Sequence, residues 1–177
     1  LEKPLIDLGL EQFYKLSFEE SKSASIRGIK AKVQLLDNST KRDWRTIREL
    51  IIKGNLKVDL EKKIISVFQL LAEAEAKVHG INYEDVHFHE IGSIDSLVDI
   101  IGVCAGFDYL NPKLIYGNNP TLGKGFALTE HGTISIPAPA VIELITKSNL
   151  KICNNTNSYD GELSTPTGIA LILILAD

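Results

Sequence analysis

The sequence contains no methionine, one tryptophan and only two cysteines among 177 residues. Cys104 and Cys153 lie far apart and form no CxxC pair, so neither a disulfide framework nor a cysteine-based zinc module is expected, and a reducing cytoplasm is the default location. Cys104 sits inside an apolar run and reads as a small core residue. The longest apolar run, Ile169–Ala176, is too short to span a bilayer, and no secretory leader is visible, so no membrane partner is expected. A net charge of −4 provides no footprint for nucleic-acid binding. The first residue is not methionine and the last follows an apolar run directly, so the chain reads as part of a longer product.

What is present is a globular composition, 44% hydrophobic and 24% charged. Its charge is unevenly spread. Lys41 to Lys63 holds eight Lys or Arg against four acids, whereas Glu73 to Asp99 holds seven acids against one Lys. This contrast fits a cationic lobe facing an acidic, metal-binding one, or equally two solvated helix faces of opposite sign.

Apolar periodicity and turn residues predict the elements. Leu1–Leu10 reads as the end of a helix stopped at Gly9. Phe13–Glu19 and Ile26–Leu36 read as strands. A turn at 37–40 leads into a helix carrying Trp44, Ile47, Leu50 and Ile51, ended by Gly54 and Asn55. A long helix runs from Asp59 to about Val78, closed by His79 and Gly80. Ser93 is placed to cap a helix to about Leu110. Lys113–Tyr116 reads as a short strand, and Gly125–Thr129 with Thr133–Ile136 as a hairpin turning at Gly132. A helix follows Pro139, then a weak strand at Leu150–Cys153, a polar loop from Asn154 to Gly161, and a final apolar helix after Pro166. The mixture predicts an α/β or α+β fold: a compact mixed sheet with several packed helices. Residues 1–40 read as a strand-bearing region whose start is missing, 41–80 as a helical segment and 81–177 as the metal and substrate region, the three counted together as one domain.

The stretch VHFHEIGSIDSLVD carries the chemistry. If Val86–Glu90 is extended, His87 and His89 project to one side, and a bend at Ile91 and Gly92 brings Glu90 or Asp95 round to add oxygen. Such a set suits Zn, Ni, Fe or Mn rather than Ca or Mg. Alternatively, one histidine is solvated and the other is hydrogen-bonded to Asp95 or Asp99. On the following helix Asp95, Asp99, Gly102 and Gly106 form one stripe on an otherwise apolar surface. Asp95 lies in the first turn, where the helix dipole favours a carboxylate. Asp99 lies a turn further in and is expected to be a buried network or functional residue. The two glycines predict close approach of another segment, since each costs about 1 kcal/mol in a helix. Ser164–Gly168 offers hydroxyls and backbone N–H groups at a helix start for an anion, or simply a capped helix. Lys124 between two glycines offers a cation, and His131 a hairpin-tip imidazole.

As a set, VHFHEIGSIDSLVDIIG, PTLGKGFALTEHGTISIPAPAVIELI and GELSTPTGIAL, in that order, resemble the LarC family of nickel insertion proteins. The resemblance implies insertion of nickel into a pyridinium-3,5-bisthiocarboxylic acid mononucleotide, with CTP required, to make the nickel-pincer cofactor of lactate racemase. Combined with the residue reading, it assigns Ni²⁺ to His87, His89 and Asp95, and catalytic roles to Asp99 and Glu90. Lys124, His131, Thr165, Thr167 and Gly168 are assigned to the anionic nucleotide substrate. It also implies segments absent from this chain, a Gly-rich opening and a C-terminal domain where CTP would bind, and so a partner that is this domain or a companion chain, within a homo-oligomer. The competing expectations are a nickel-binding assembly module inactive without that domain, and a metal-dependent hydrolase of a small phosphorylated compound.

Overall fold

The computed structural model describes residues 2–36, 42–129, 131–153 and 160–177. The turn expected at 37–40, Glu130 of the hairpin and residues 154–159 of the polar loop lie outside the described residues.

One long helix, Val58–His79, organises the core. In chain order the elements are α1 (Glu2–Asp7), β1 (Tyr14–Ser23), β2 (Ile26–Leu35), α2 (Trp44–Lys53), α3 (Val58–His79), α4 (Ile94–Leu110), β3 (Gly125–Thr129), β4 (Gly132–Ile136), α5 (Pro139–Lys147) and α6 (Pro166–Leu175), with a single 3₁₀ turn at Tyr83–Asp85. Leu60, Ile64, Val67, Phe68 and Leu71 of α3 recur at three- and four-residue spacing and are buried, while Ala72, Ala74 and Ala76 extend burial round its C-terminal half. α2, α4, α5 and α6 all pack on it. Truncating any of these large side chains to alanine is expected to cost about 2–5 kcal/mol. α3 ends as the sequence predicts, with Gly80 in the left-handed conformation at φ 66°.

α2 is held at its start by Asp43, whose carboxylate accepts from Thr46 N at 2.7 Å. α4 buries Ile94, Leu97, Val98, Ile100, Ile101, Cys104 and Ala105. Cys104 is a free thiol in the core, its pKa pushed up to about 12 by burial.

The strands form two separate antiparallel hairpins, β1–β2 and β3–β4, rather than one mixed sheet. Each pairs across a short turn, and among the described residues no strand joins the two. The architecture is therefore α+β. The β1–β2 register groups Tyr14, Leu16 and Phe18 with Leu35, Val33 and Ala31 on one face, and Lys15, Ser17 and Glu19 with Gln34, Lys32 and Lys30 on the other. The strands expected at Lys113–Tyr116 and Leu150–Cys153 do not form. Among the described residues, Ile115 pairs with Asp177 alone and Cys153 N donates to Pro120 O, and neither segment has a strand neighbour along which a ladder could extend.

Candidate functional site

Val86 and Phe88 are buried, at 1% and 2% exposure, and His87 and His89 between and after them face away from the core. The alternation holds for only three residues. Trp44 N donates to Val86 O, and His87 pairs in an isolated bridge with Asp43, which fixes the chain alongside the start of α2. The chain then turns. Gly92 is what permits this, because a Cβ there would lie 2.2 Å from Arg42 O and 2.9 Å from Arg42 N. The Glu90 carbonyl collects Ser93 N at 3.2 Å, Ser93 Oγ at 2.5 Å and Ser96 Oγ at 3.3 Å, which pins the turn.

The consequence is that His87 and His89 part company. His87 Nδ1 lies 4.0 Å from Asp43 Oδ2, with its side chain 78% exposed. Asp43 is held below its ordinary pKa first by the hydrogen bond from Thr46, with His87 adding to the effect. His89 instead turns into a cavity of about 330 Å³ bounded by the end of α3, this turn, the β3–β4 hairpin and the starts of α5 and α6.

Three imidazoles meet there. The His89 ring centre is 4.4 Å from that of His131 and 6.1 Å from that of His79, and His79 and His131 are 4.9 Å apart. His131 is set by the hairpin tip, where its N–H donates to Thr129 Oγ1 at 3.2 Å and that hydroxyl donates to Gly132 O at 3.1 Å. His79 Nε2 is 3.3 Å from Glu75 Oε2, one helical turn back. Glu90 and Glu162 add two more carboxylates, and burial, then the Glu90 charge, raises the Glu162 pKa. Phe88, Ile91, Ile134 and Ile136 supply apolar walls. Opposite them stand Thr165 and Thr167 at the start of α6, where Thr165 Oγ1 accepts from Gly168 N at 3.1 Å. Among the described residues, no group of three or more His, Cys, Asp or Glu is arranged to hold a metal ion as it stands.

Of the residues singled out in the sequence, the structure thus brings His89, Glu90, His131, Thr165 and Thr167 to one cavity, with Gly168 bonded behind Thr165. His87, Asp95, Asp99 and Lys124 are not among its walls. Asp95 accepts from the hydroxyl of Ser93, which occupies the N-cap position of α4 without accepting from a helix N–H group. Asp99 opens onto a different groove with Gly102 and Gly106, and is exposed rather than buried as expected. Burial of part of the carboxyl, then the Asp95 charge, raises its pKa. Lys124 Nζ is 3.6 Å from Asp160 Oδ1, and its backbone bonds Gly161, so the close approach around Gly123 is made by the chain's own Gly161. The residues missed from sequence are His79, Glu75 and Glu162. His79 reads only as a helix stop, yet an acid four residues before a terminal histidine is a visible pair signal.

The family described as "Nickel insertion protein" matches residues 1–177. A relative from Desulfitobacterium hafniense (strain DSM 10664 / DCB-2), named pyridinium-3,5-bisthiocarboxylic acid mononucleotide nickel insertion protein, is 34% identical over 97% of this chain and 42% of its own length. A relative from Synechococcus sp. (strain JA-3-3Ab), provisionally named a nickel insertion protein, is 40% identical over 100% of this chain and 44% of its own. This chain therefore spans less than half the length of those relatives. No solved structure matches. No helix among the described residues is long and apolar enough to cross a membrane. With the match running the whole length of the chain, this protein belongs to the nickel insertion protein family.

Proposed function

We propose that this chain is the metal- and substrate-handling part of a protein that inserts nickel into a pyridinium-3,5-bisthiocarboxylic acid mononucleotide, using CTP bound by a companion domain. The observation that supports this reading is the composition of one cavity: imidazoles and carboxylates on one side, the hydroxyl-lined start of α6 on another, apolar walls between. The substrate needs all three. Its phosphate suits the start of α6, where the Thr165 and Thr167 hydroxyls, the Thr167 N–H and the helix dipole favour an anion, with Gly168 bonded behind Thr165. Its ring suits the Phe88 and isoleucine walls. Its two thiocarboxylates then face the imidazoles that carry nickel, with Glu90 placed to take up a proton. Closing an apolar pocket round the metal removes water that would compete with sulfur for it.

The chain's share of its relatives' length favours a second reading, a module that loads nickel for the rest of the protein to use. The two separate in one assay. This chain, alone and with the remaining polypeptide of a relative, is mixed with Ni²⁺, the nucleotide and CTP, and nickel-containing nucleotide is followed by mass spectrometry. We expect both nickel and nucleotide to bind this chain, and product to require CTP. Nickel binding without nucleotide binding establishes the loading module instead. Phosphate release from a nucleotide, with no nickel in the product, overturns insertion in favour of hydrolysis.

A further inference from the structure

We infer that His79, His89 and His131 together form the station at which Ni²⁺ is received, a three-imidazole site in which His79 is held by Glu75 and His87 takes no part. The inference deepens the nickel insertion reading and rests on it for the identity of the metal.

The geometry carries the argument. An ion about 2.1 Å from an imidazole nitrogen lies about 3.2 Å from the ring's centre, and the circle through ring centres 4.4, 4.9 and 6.1 Å apart has a radius of about 3.1 Å. A single ion close to the middle of that triangle is therefore at bonding distance from all three rings once each turns a nitrogen inward. The three side chains come from three elements, the end of α3, the turn after Phe88 and the tip of the β3–β4 hairpin. None is deeply buried, so the rotations do not disturb the core.

The fourth partner fits the pattern of metal-binding histidines. A ligating imidazole commonly donates its other N–H to a carboxylate, which sets the ring's tautomer and direction. Glu75 Oε2, 3.3 Å from His79 Nε2, is placed to accept that bond and leaves Nδ1 as the nitrogen with a lone pair for the ion. His87 lacks the opportunity, because its Nδ1 faces Asp43 at the start of α2 and its ring is not in the cavity.

The arrangement also fits a cargo. Three neutral imidazoles leave part of the nickel coordination shell open, and imidazole is a borderline donor. Softer sulfur donors from the two thiocarboxylates can attach at the open positions before the imidazoles let go, so the ion is exchanged between ligands without being released to water.

The test measures Ni²⁺ binding to the whole chain by titration calorimetry, with the nickel X-ray absorption edge reporting the number of imidazoles. Neither readout needs the nucleotide. His79→Ala, His89→Ala and His131→Ala are each expected to weaken binding at least tenfold and to remove one imidazole from the spectrum. Glu75→Gln is expected to weaken it about tenfold. His87→Ala should stay within twofold of the parent chain. A far-ultraviolet circular dichroism melt confirms that each variant is folded, and Gln in place of Ala provides the substitution closest in size. Full affinity in His79→Ala or His131→Ala, or a large loss in His87→Ala, overturns the site. If that happens while nickel still enters the nucleotide, insertion stands and only the station is wrong. If the binding pattern holds but no insertion occurs in any combination, the station stands and the insertion reading fails.

Discussion

Two cavities of the same size, about 330 Å³ each, draw on α4, and they are built from opposite materials. The first takes Ser96 from the start of the helix and gathers the histidines, glutamates and threonines described above. The second runs along Val98, Asp99, Gly102, Val103 and Gly106 to the inner face of the β1–β2 hairpin, and its one ionisable lining group is Asp99. The difference follows from where along an element each cavity draws its residues. The polar cavity is assembled from ends and turns: the last turn of α3, a turn after Phe88, a hairpin tip and two helix starts. Such positions leave backbone groups unpaired and accept polar side chains without burying them. The groove is assembled from the middles of elements, where only a side-chain stripe faces outward, and the stripe here is small and apolar. Chemistry collects at ends, and shape at middles.

The largest effect that would test this contrast is at the glycines. Gly92 on the cavity side has no room for a Cβ, which would meet backbone atoms of Arg42 at 2.2 and 2.9 Å. Gly92→Ala must therefore move main chain, and we expect a loss of about 3 kcal/mol, or a fall in melting temperature on the order of 10 °C. The turn that parts His89 from His87 should loosen with it, so nickel affinity falls as well. A variant that melts within about 2 °C of the parent chain breaks the claim that this turn is built on the glycine.

Gly102 on the groove side is the opposite case. A Cβ there meets nothing within 4 Å. Gly102→Ala is expected to stabilise this chain by up to about 1 kcal/mol, the helix-propensity difference, and to leave nickel binding unchanged. Thermal melts and the nickel titration read both. A loss of stability would mean that something in this chain already packs against that glycine.

How much of this was legible beforehand divides along the same line. Helix middles were readable because burial repeats with the helical period: Leu60, Ile64, Val67 and Leu71 of α3 are buried as their spacing predicts. The β3–β4 hairpin was readable because Gly132, at φ 87°, is the residue its turn demands. Strands at Lys113–Tyr116 and Leu150–Cys153 were over-read because a local apolar pattern says nothing about whether a partner strand exists. The cavity was readable only in part. Period-two spacing placed His87 and His89 together, and it holds as far as Phe88, but the turn imposed by Gly92 against Arg42 is a long-range contact that spacing does not encode. The membership of His79 depends on the end of α3 reaching His131 of the hairpin tip, a long-range contact that the Glu75–His79 spacing does not encode.

The smallest expected effect sharpens the groove side and depends on pH. Asp99 has its pKa raised above 3.8, first by partial burial among the groove's apolar groups and then by Asp95. A raised acid binds its proton more tightly in the folded chain than in the unfolded one, so its favourable contribution is complete below about pH 3.8 and is lost as pH rises through the folded value. Above that value the folded chain carries a partly desolvated charge beside Asp95 and the penalty no longer changes. Asp99→Asn removes the titration. The variant and the parent chain should therefore differ least below about pH 3.8, diverge as pH rises through the raised folded value with the variant the more stable, and run parallel above it. Paired thermal melts across this range isolate the Asp99 contribution, because every other carboxylate is common to both chains. Curves that stay parallel throughout, or a parent chain that gains on the variant with rising pH, would show that Asp99 is as well solvated as any surface acid, and the contrast between a dry groove and a polar cavity would fail at its one ionisable residue.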